Sequence, residues 1–341
     1  MNLQTTYMGL TLRCPVVASA GPIQQTLSGM RALADAGVGA ITMYSLFEEQ
    51  IRAERVEQTI LTTEYDNINP EGLSYFPDVP TLLPHDQDGT SRSYLRLLEK
   101  AASSIEVPVI ASLNGATLGG WSHFARQMEE AGAAGIELNV YYVPGDPTLS
   151  ALEVENLHID IIGSVKSQVS VPVAVKLSPY FSSFASFAVR LEKAGADALV
   201  LFNRFLQPEI DLETMTGVPG LRLSEPFEAR VPRTWISILR RQLGISLAAT
   251  SGVETPDDMV KYLLVGADVI CTTSALVRHG AAYAADLIAG LESWLARHEF
   301  ESVEAARGAM AIEEGATDYE RQGYVAALQT AKRKYASLAG L

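Results

Sequence analysis

One lysine stands in a stretch where charged residues are rare, at the end of the run Pro172-Val-Ala-Val-Lys176. The run is short, rich in valine and begins with proline, and this pattern predicts a buried strand of a parallel sheet. An ammonium group at the end of such a strand needs a partner, because an unpaired buried charge is costly. We therefore expect Lys176 to face an anionic or electron-rich group.

Amide side chains stand at the ends of three other predicted strands, at Asn114, Asn139 and Asn203. A single asparagine at such a place is more commonly a turn residue. An amide carries both a donor and an acceptor, so together with Lys176 the three could hydrogen-bond the edge of a flat heterocycle. A ring with alternating carbonyl and N–H groups would match this set.

Hydroxyl and glycine residues follow the last two predicted strands, as Thr250-Ser251-Gly252 and Thr273-Ser274. In a barrel of parallel strands this is the usual place of a phosphate site, where backbone N–H groups and a helix N-terminus hold the anion. The alternative is that these residues only cap helices. Histidine and aspartate do not cluster at the strand ends, so the sequence predicts no metal site and disfavours a metal hydrolase.

A repeated phrase shows how these residues are positioned. Ala-Gly or Val-Gly, followed by a small apolar run, occurs in residues 35–42, 130–137, 193–200 and 265–270. Glycine just after a helix supplies a left-handed C-cap, and the apolar run is then the next strand. Repeats of this kind at intervals of tens of residues indicate a parallel β/α architecture.

Eight strands are predicted in all, and helical periodicity fills most of the gaps between them. Eight β/α units predict an α/β fold made of a single (β/α)8 TIM barrel. The strands are Val16–Ala20, Ala40–Tyr44, Pro108–Leu113, Gly135–Asn139, Val173–Leu177, Ala198–Phe202, Ser246–Thr250 and Val269–Thr273.

The barrel is predicted to span residues 1–300 as one domain. Two long loops, residues 48–90 and 205–232, are expected at its mouth, where lids are commonly built. Residues 301–341 are rich in helix-forming residues and predict a C-terminal helical extension packed on the barrel. His85, in the first loop, is either a lid base or a solvated loop residue.

Composition narrows the partners and the compartment. The chain has 341 residues and a net charge of -14, which disfavours nucleic acid and anionic membrane surfaces as partners. Its two cysteines, Cys14 and Cys271, each lie in an apolar run and have no zinc spacing, so buried reduced thiols are predicted. The sequence contains no signal pattern and no apolar run of about 18 residues, so we expect a cytoplasmic protein.

Taken in order, these residues resemble the dihydroorotate dehydrogenase family, a family of FMN-containing TIM barrels, from about residue 1 to about residue 297. Further phrases are similar to its dihydroorotate dehydrogenase-like branch, and these include Ser45-Leu-Phe-Glu-Glu-Gln50 and Leu201-Phe-Asn-Arg-Phe205. The main matching phrases are Ala18-Ser-Ala-Gly21, Glu137-Leu-Asn139, Val173-Ala-Val-Lys176-Leu-Ser-Pro179, Asn203, Thr250-Ser-Gly252-Val and Thr273-Ser-Ala-Leu276.

The resemblance implies FMN as cofactor and the oxidation of dihydroorotate or a related small dihydro-substrate, in which a base removes a proton and a hydride passes to the flavin. Substrate contacts are expected from Asn139, Asn203 and Arg204. Lys176, Asn139, Tyr141 and Tyr142 are the predicted catalytic residues. The predicted cofactor-binding residues are Ala18, Ser19, Gly21, Tyr44, Asn114, Asn139, Lys176, Asn203, Thr250, Ser251, Gly252, Thr273 and Ser274.

Two departures from the family pattern define the catalytic question. The family carries cysteine or serine as its base in the loop after the asparagine, but Asn139 is followed here by Val-Tyr-Tyr-Val. Tyr141 and Tyr142 are the groups available there, and ring packing at the mouth is their alternative role. Tyr44 stands where the family has a lysine that contacts flavin and substrate.

Other interpretations stay open at this point. Lys176 could act as a Schiff-base nucleophile of a lyase or aldolase, or pair structurally with Glu137, and the chain could bind FMN without catalysis. Arg204 could bind a substrate carboxylate or pair with an acid in the Glu209–Glu213 loop. Without an iron–sulfur cysteine set, electrons would leave through a small acceptor or a partner protein, and a homodimer is possible.

Overall fold

The computed structural model describes residues 1–51, 90–115, 121–204, 209–218, 222–313 and 319–335. Most of the first predicted mouth loop, with His85, lies outside these residues. So do two short pieces of the second mouth loop.

Eight parallel strands close into a barrel, as the sequence predicts. Each strand pairs with the next along the barrel, and the last pairs with the first through Ile270 opposite Val16. The barrel strands are β3 Val16–Ala18, β4 Ala40–Phe47, β5 Val109–Gly115, β6 Gly135–Val140, β7 Val173–Leu177, β8 Ala198–Leu201, β11 Ser246–Ala249 and β12 Val269–Thr272.

Two small antiparallel hairpins complete the described strands. They are β1 Thr5–Tyr7 with β2 Leu10–Leu12, and β9 Glu209–Asp211 with β10 Thr216–Val218. The first hairpin packs Tyr7, Met8 and Leu12 against buried side chains of the barrel strands. The barrel residues that this hairpin contacts lie before the carboxyl ends of their strands. The hairpin therefore closes the end of the barrel opposite the mouth. Burial raises the pKa of the Tyr7 phenol at this closed end.

Helices cover the barrel and bury its outer face. The predicted start at Thr255 forms a capping box with Asp258, and Gly266 ends the same helix in the left-handed conformation that glycine favours. The helices are α1 Leu27–Asp35, α2 Thr90–Ser104, α3 Trp121–Glu130, α4 Ala151–Lys166, α5 Phe184–Lys193, α6 Arg230–Leu239, α7 Pro256–Val265, α8 Ser274–His279, α9 Tyr283–Arg297, α10 Val303–Ala306 and α11 Tyr319–Tyr335.

The segment after the barrel has two parts. Residues 302–312 pack on it, where Arg307 pairs with the buried Asp268 and the Ile312 N–H donates to the Ser237 carbonyl. Residues 321–334, in α11, are exposed apart from Ala331, which is half-buried. The packing of the whole extension on the barrel therefore stays a prediction. Within the described part of the chain, no helix has the length and apolar character needed to cross a membrane.

Candidate active site

Lys176 lies beside Glu137 at the mouth of the barrel. The two side chains stand on the neighbouring strands β7 and β6, and Lys176 Nζ lies 3.4 Å from Glu137 Oε1. The Glu137 side chain is almost fully buried, whereas Lys176 also reaches two cavities at the mouth. The buried lysine thus has a structural partner and still faces a space for a ligand. The contact with Glu137 occupies the Lys176 amino group, which favours an electrostatic role over a nucleophilic one.

The predicted amides meet at the same level as the lysine. In the strand register, Asn114 pairs with Asn139, and Asn139 pairs with Lys176. Asn203 Nδ2 donates a hydrogen bond of 2.8 Å to Asn139 Oδ1. This bond leaves both side-chain N–H groups of Asn139 and the side-chain carbonyl of Asn203 for other partners. The pair therefore presents donors and an acceptor side by side, which is the complement of an amide or imide edge.

A smaller cavity, of about 140 Å³, lies at the ends of β11 and β12. The hydroxyl-bearing residues that line it include four from the predicted phosphate site and Ser19, a predicted flavin contact. They also include Ser224, which was not predicted from the sequence. These residues are Ser19, Ser224, Thr250, Ser251, Thr273 and Ser274. Ser224 stands in the long second mouth loop, and no local motif distinguishes it from other loop serines. Only the fold brings it to the strand ends.

The hydroxyl groups at this cavity have different tasks. Thr273 Oγ1 donates to the Ser19 carbonyl at 2.7 Å, and Ser251 Oγ donates to the Phe202 carbonyl at 3.2 Å. These two hydroxyls therefore hold backbone. Ser274 Oγ instead accepts from the backbone N–H and from the hydroxyl of Ser224, at 2.9 and 3.0 Å. Since its oxygen is the acceptor in both bonds, the Ser274 hydroxyl proton is available to a ligand.

Two glycines allow the close packing around this cavity. A Cβ on Gly252 would lie 2.7 Å from the Ala229 nitrogen and 2.8 Å from the Glu225 carbonyl oxygen. Gly252 also has a positive φ of 67°. A Cβ on Gly21 would lie 2.4 Å from Thr273 Cγ2. Glycine is thus required for the strand-end loops to approach one another.

A larger cavity, of about 1380 Å³, adjoins the smaller one, and the two share Lys176, Asn203 and Ser251 in their linings. Asn114, Asn139 and Tyr141 line this cavity as predicted. The sequence analysis missed several further lining residues, which are Ser45, Tyr180, Phe202, Arg222, Arg230 and Trp235. They come from separate strand ends and loops, so only the closed barrel shows that they are neighbours.

The residues present fit FMN. A small polar cavity with an available hydroxyl proton suits a phosphate, and the adjoining larger cavity with amides and Lys176 suits a flat ring. Gly252 and Gly21 keep the loops close enough to form the small cavity. When bound, FMN accepts a hydride from the substrate.

Other predicted site residues lie elsewhere. Tyr44 packs edge-on against Tyr94, with ring centroids 5.0 Å apart, and neither it nor Tyr142 is among the described residues that line the two cavities. A register shift in β4 between Thr42 and Ser45 accompanies this placement, and Ser45 lines the larger cavity instead. Ala18 is fully buried in the core of the barrel wall.

Arg204 lines both cavities but has protein partners. Its Nε lies 2.7 Å from Glu228 Oε1, and its Nη1 donates to the Arg222 carbonyl at 2.5 Å. It therefore pairs with an acid, although that acid is Glu228 and not one from the Glu209–Glu213 loop.

Both cysteines are buried and free, as the prediction of buried reduced thiols has it, and burial raises the pKa of each thiol. Among the residues that the structure describes, His, Cys, Asp and Glu form no group able to hold a metal ion.

Comparison with known proteins decides the family. The sequence profile described as "Dihydroorotate dehydrogenase" matches residues 2–295. The chain belongs to the dihydroorotate dehydrogenase family. The predicted TIM barrel, FMN as cofactor and an oxidoreductase activity of the dihydroorotate dehydrogenase type are thereby confirmed.

Three relatives are each named as the catalytic subunit of dihydroorotate dehydrogenase B (NAD(+)). The Methanothermobacter thermautotrophicus protein is 28% identical over 90% of this chain and 97% of the relative. The Thermoplasma acidophilum protein is 26% identical over 89% of this chain and 97% of the relative. The Listeria innocua protein is 30% identical over 79% of this chain and 86% of the relative.

Proposed function

We propose that this dihydroorotate dehydrogenase family member oxidises dihydroorotate, or a small dihydro-compound with the same amide and carboxylate groups, and passes the hydride to FMN. The observation that carries the proposal is the Asn139–Asn203 pair beside Lys176. The unused donors of Asn139 and the unused carbonyl of Asn203 match the N–H and C=O groups along one edge of a dihydropyrimidine.

The cationic lining of the larger cavity supports a substrate with a carboxylate. Arg222 and Arg230 both line it, and the side chain of Arg230 lies 4.8 Å from the centroid of the Phe227 ring. Arg204 holds this side of the mouth through Glu228 and the Arg222 carbonyl. A guanidinium group binds a carboxylate with two parallel hydrogen bonds.

We assign proton removal to Tyr141. It lines the larger cavity together with Asn139 and Lys176, and it follows Asn139 by two residues, where the family carries its base loop. Tyr142 is not among the described lining residues. Its phenol oxygen is the group at this place that can take the proton that the substrate loses.

Anaerobic stopped-flow mixing of the FMN-loaded protein with dihydroorotate tests the assignment. Tyr141→Phe should slow flavin reduction by about 100-fold or more, the usual worth of a general base. Tyr142→Phe is the matched control and should keep the native rate. Equal effects of the two substitutions would reject Tyr141 as the base.

A parallel experiment tests the substrate class. Dihydrouracil lacks the carboxylate of dihydroorotate but keeps the amide edge. We expect it to reduce the flavin only at much higher concentration, because the arginines then lose their partner. Equal saturation by the two compounds would contradict carboxylate recognition.

Electrons must then leave the flavin. The relatives are named as NAD(+)-linked catalytic subunits, and the two buried cysteines of this chain cannot hold an iron–sulfur cluster. We propose that a partner protein takes the electrons to NAD+. The isolated chain should therefore reduce a small dye acceptor during turnover but not NAD+, and direct NADH formation would overturn this part. The possible homodimer stays a prediction.

A further inference from the structure

Ser224 occupies an unusual position between the two strand-end loops of the smaller cavity. Its side chain is buried, and it accepts a hydrogen bond of 3.2 Å from the Gly252 N–H. It donates its own proton to Ser274 Oγ at 3.0 Å. The bonds therefore run in one direction, from the Gly252 N–H through the Ser224 hydroxyl to the Ser274 hydroxyl.

The direction of these hydrogen bonds makes Ser274 the last donor of the chain. Because its oxygen already accepts two hydrogen bonds from Ser224, its proton is the end of the chain and points to a further acceptor. Two other hydroxyls of this cavity, those of Thr273 and Ser251, donate to backbone carbonyls. Linked hydrogen bonds polarise one another, so each bond in the chain strengthens the last donor.

Arg278 holds this arrangement from behind. Its Nη2 donates to the Ser224 carbonyl at 2.9 Å, and its Nη1 pairs with Glu254. Glu254 is itself held by His279, at 2.7 Å, while its backbone carbonyl accepts from the Tyr283 hydroxyl at 3.0 Å. The guanidinium thus ties the loop of Ser224 to the segment that follows β11.

We propose that Ser224 orients the hydroxyl of Ser274, which the family resemblance assigns to the FMN phosphate, through this chain of hydrogen bonds, and that Arg278 is a positioning residue that acts through Ser224. The relation concerns the phosphate alone, since Ser224 and Ser274 line the smaller cavity and not the larger one. It depends on FMN as cofactor and not on the identity of the substrate.

Comparing FMN with riboflavin tests the proposal, because riboflavin keeps the ring and lacks the phosphate. The affinity of the apo-protein for each is measured by quenching of flavin fluorescence. Ser274→Ala should weaken FMN binding by about 10- to 100-fold, the worth of a hydrogen bond to a charged group. Its riboflavin affinity should stay unchanged. Ser224→Ala should weaken FMN binding by about fivefold, again without effect on riboflavin.

The role of Arg278 is tested in two backgrounds. Arg278→Ala should weaken FMN binding by about fivefold in the native chain and should add little in the Ser274→Ala background, because Arg278 holds the backbone of Ser224 and so acts on the phosphate through the Ser274 hydroxyl. Ser237→Ala and Arg190→Ala are controls. Ser237 is a buried serine bonded to the Met310 carbonyl, and Arg190 is paired with Glu155, both away from the cavities.

Two results would overturn the proposal. The first is an equal loss of FMN and riboflavin affinity in Ser274→Ala, or no loss of either. The second is an Arg278→Ala effect that remains complete without the Ser274 hydroxyl. Thermal unfolding of each apo-variant separates misfolding from lost binding. Since no substrate is added, the outcome is independent of whether dihydroorotate reduces the flavin.

Discussion

Replacing Gly252 with alanine tests whether the smaller cavity depends on the close approach of two loops. Gly252 has a φ of 67°, and a residue with a Cβ loses roughly 1–2 kcal/mol in this left-handed region. The new Cβ would also lie 2.7 Å from the Ala229 nitrogen and 2.8 Å from the Glu225 carbonyl oxygen. Both atoms are backbone, so residues 225–229 must move, and overpacking of this kind costs about 1–3 kcal/mol.

Gly9→Ala is the matched control. Gly9 also has a positive φ, 75°, but a Cβ there would have no atom within 4 Å. The free energy of unfolding of Gly9→Ala should therefore fall only by the roughly 1–2 kcal/mol that the left-handed conformation costs. Urea unfolding of the two apo-variants gives their free energies of unfolding, and flavin fluorescence gives their FMN affinities.

We expect the free energy of unfolding to fall by at least about 1 kcal/mol more in Gly252→Ala than in Gly9→Ala, because only at Gly252 would the new Cβ contact backbone atoms. We also expect it to bind FMN at least about tenfold more weakly, since displacement of residues 225–229 shifts the adjoining Ser224. Equal losses of unfolding free energy together with an unchanged FMN affinity would refute the reasoning that the loops must touch.

Two further predictions concern buried charge. Lys176→Met should destabilise the protein by about 3–5 kcal/mol because it leaves the buried Glu137 carboxylate unpaired, and the double variant with Glu137→Gln should recover much of this in urea unfolding; additive losses would contradict the pairing. Burial lowers the pKa of His158, which donates to the Val154 carbonyl and packs against Phe181 and Phe187. The unfolded chain therefore binds the proton more readily, so stability is complete above about pH 6.5 and falls as pH decreases toward the lowered pKa of the folded state. His158→Phe should remove this part of the decline between pH 7 and pH 5, and parallel stability curves for the two proteins would contradict it.

The barrel was predictable from the sequence because its signals are local. Glycine C-caps before small apolar runs mark the starts of four of the eight barrel strands, as at Gly266, where φ is 113°. The side chain of Lys176 was predictable as partly buried for the same reason, since a valine-rich run leads into it. Its closeness to Glu137 followed from adjacent strands in a parallel sheet.

The parts of the site that escaped prediction depend on geometry between distant segments. Ser224 becomes a cavity residue only because its loop folds back to Ser274, fifty residues further along the chain. Tyr44 was predicted from position to contact the flavin, but a shift of register in β4 places it against Tyr94 and brings Ser45 to the cavity. A one-residue change of register reverses which side chains face a site, and no sequence pattern here marked the shift.

Anaerobic mixing of the FMN-loaded protein with dihydroorotate tests the central claim most directly. The Asn139–Asn203 pair, Lys176 and the adjoining polar cavity predict that the absorbance of oxidised flavin disappears in proportion to the substrate added. A flavin that a chemical reductant bleaches, but that dihydroorotate leaves oxidised at saturating concentration and at every pH, would contradict dihydroorotate as the substrate.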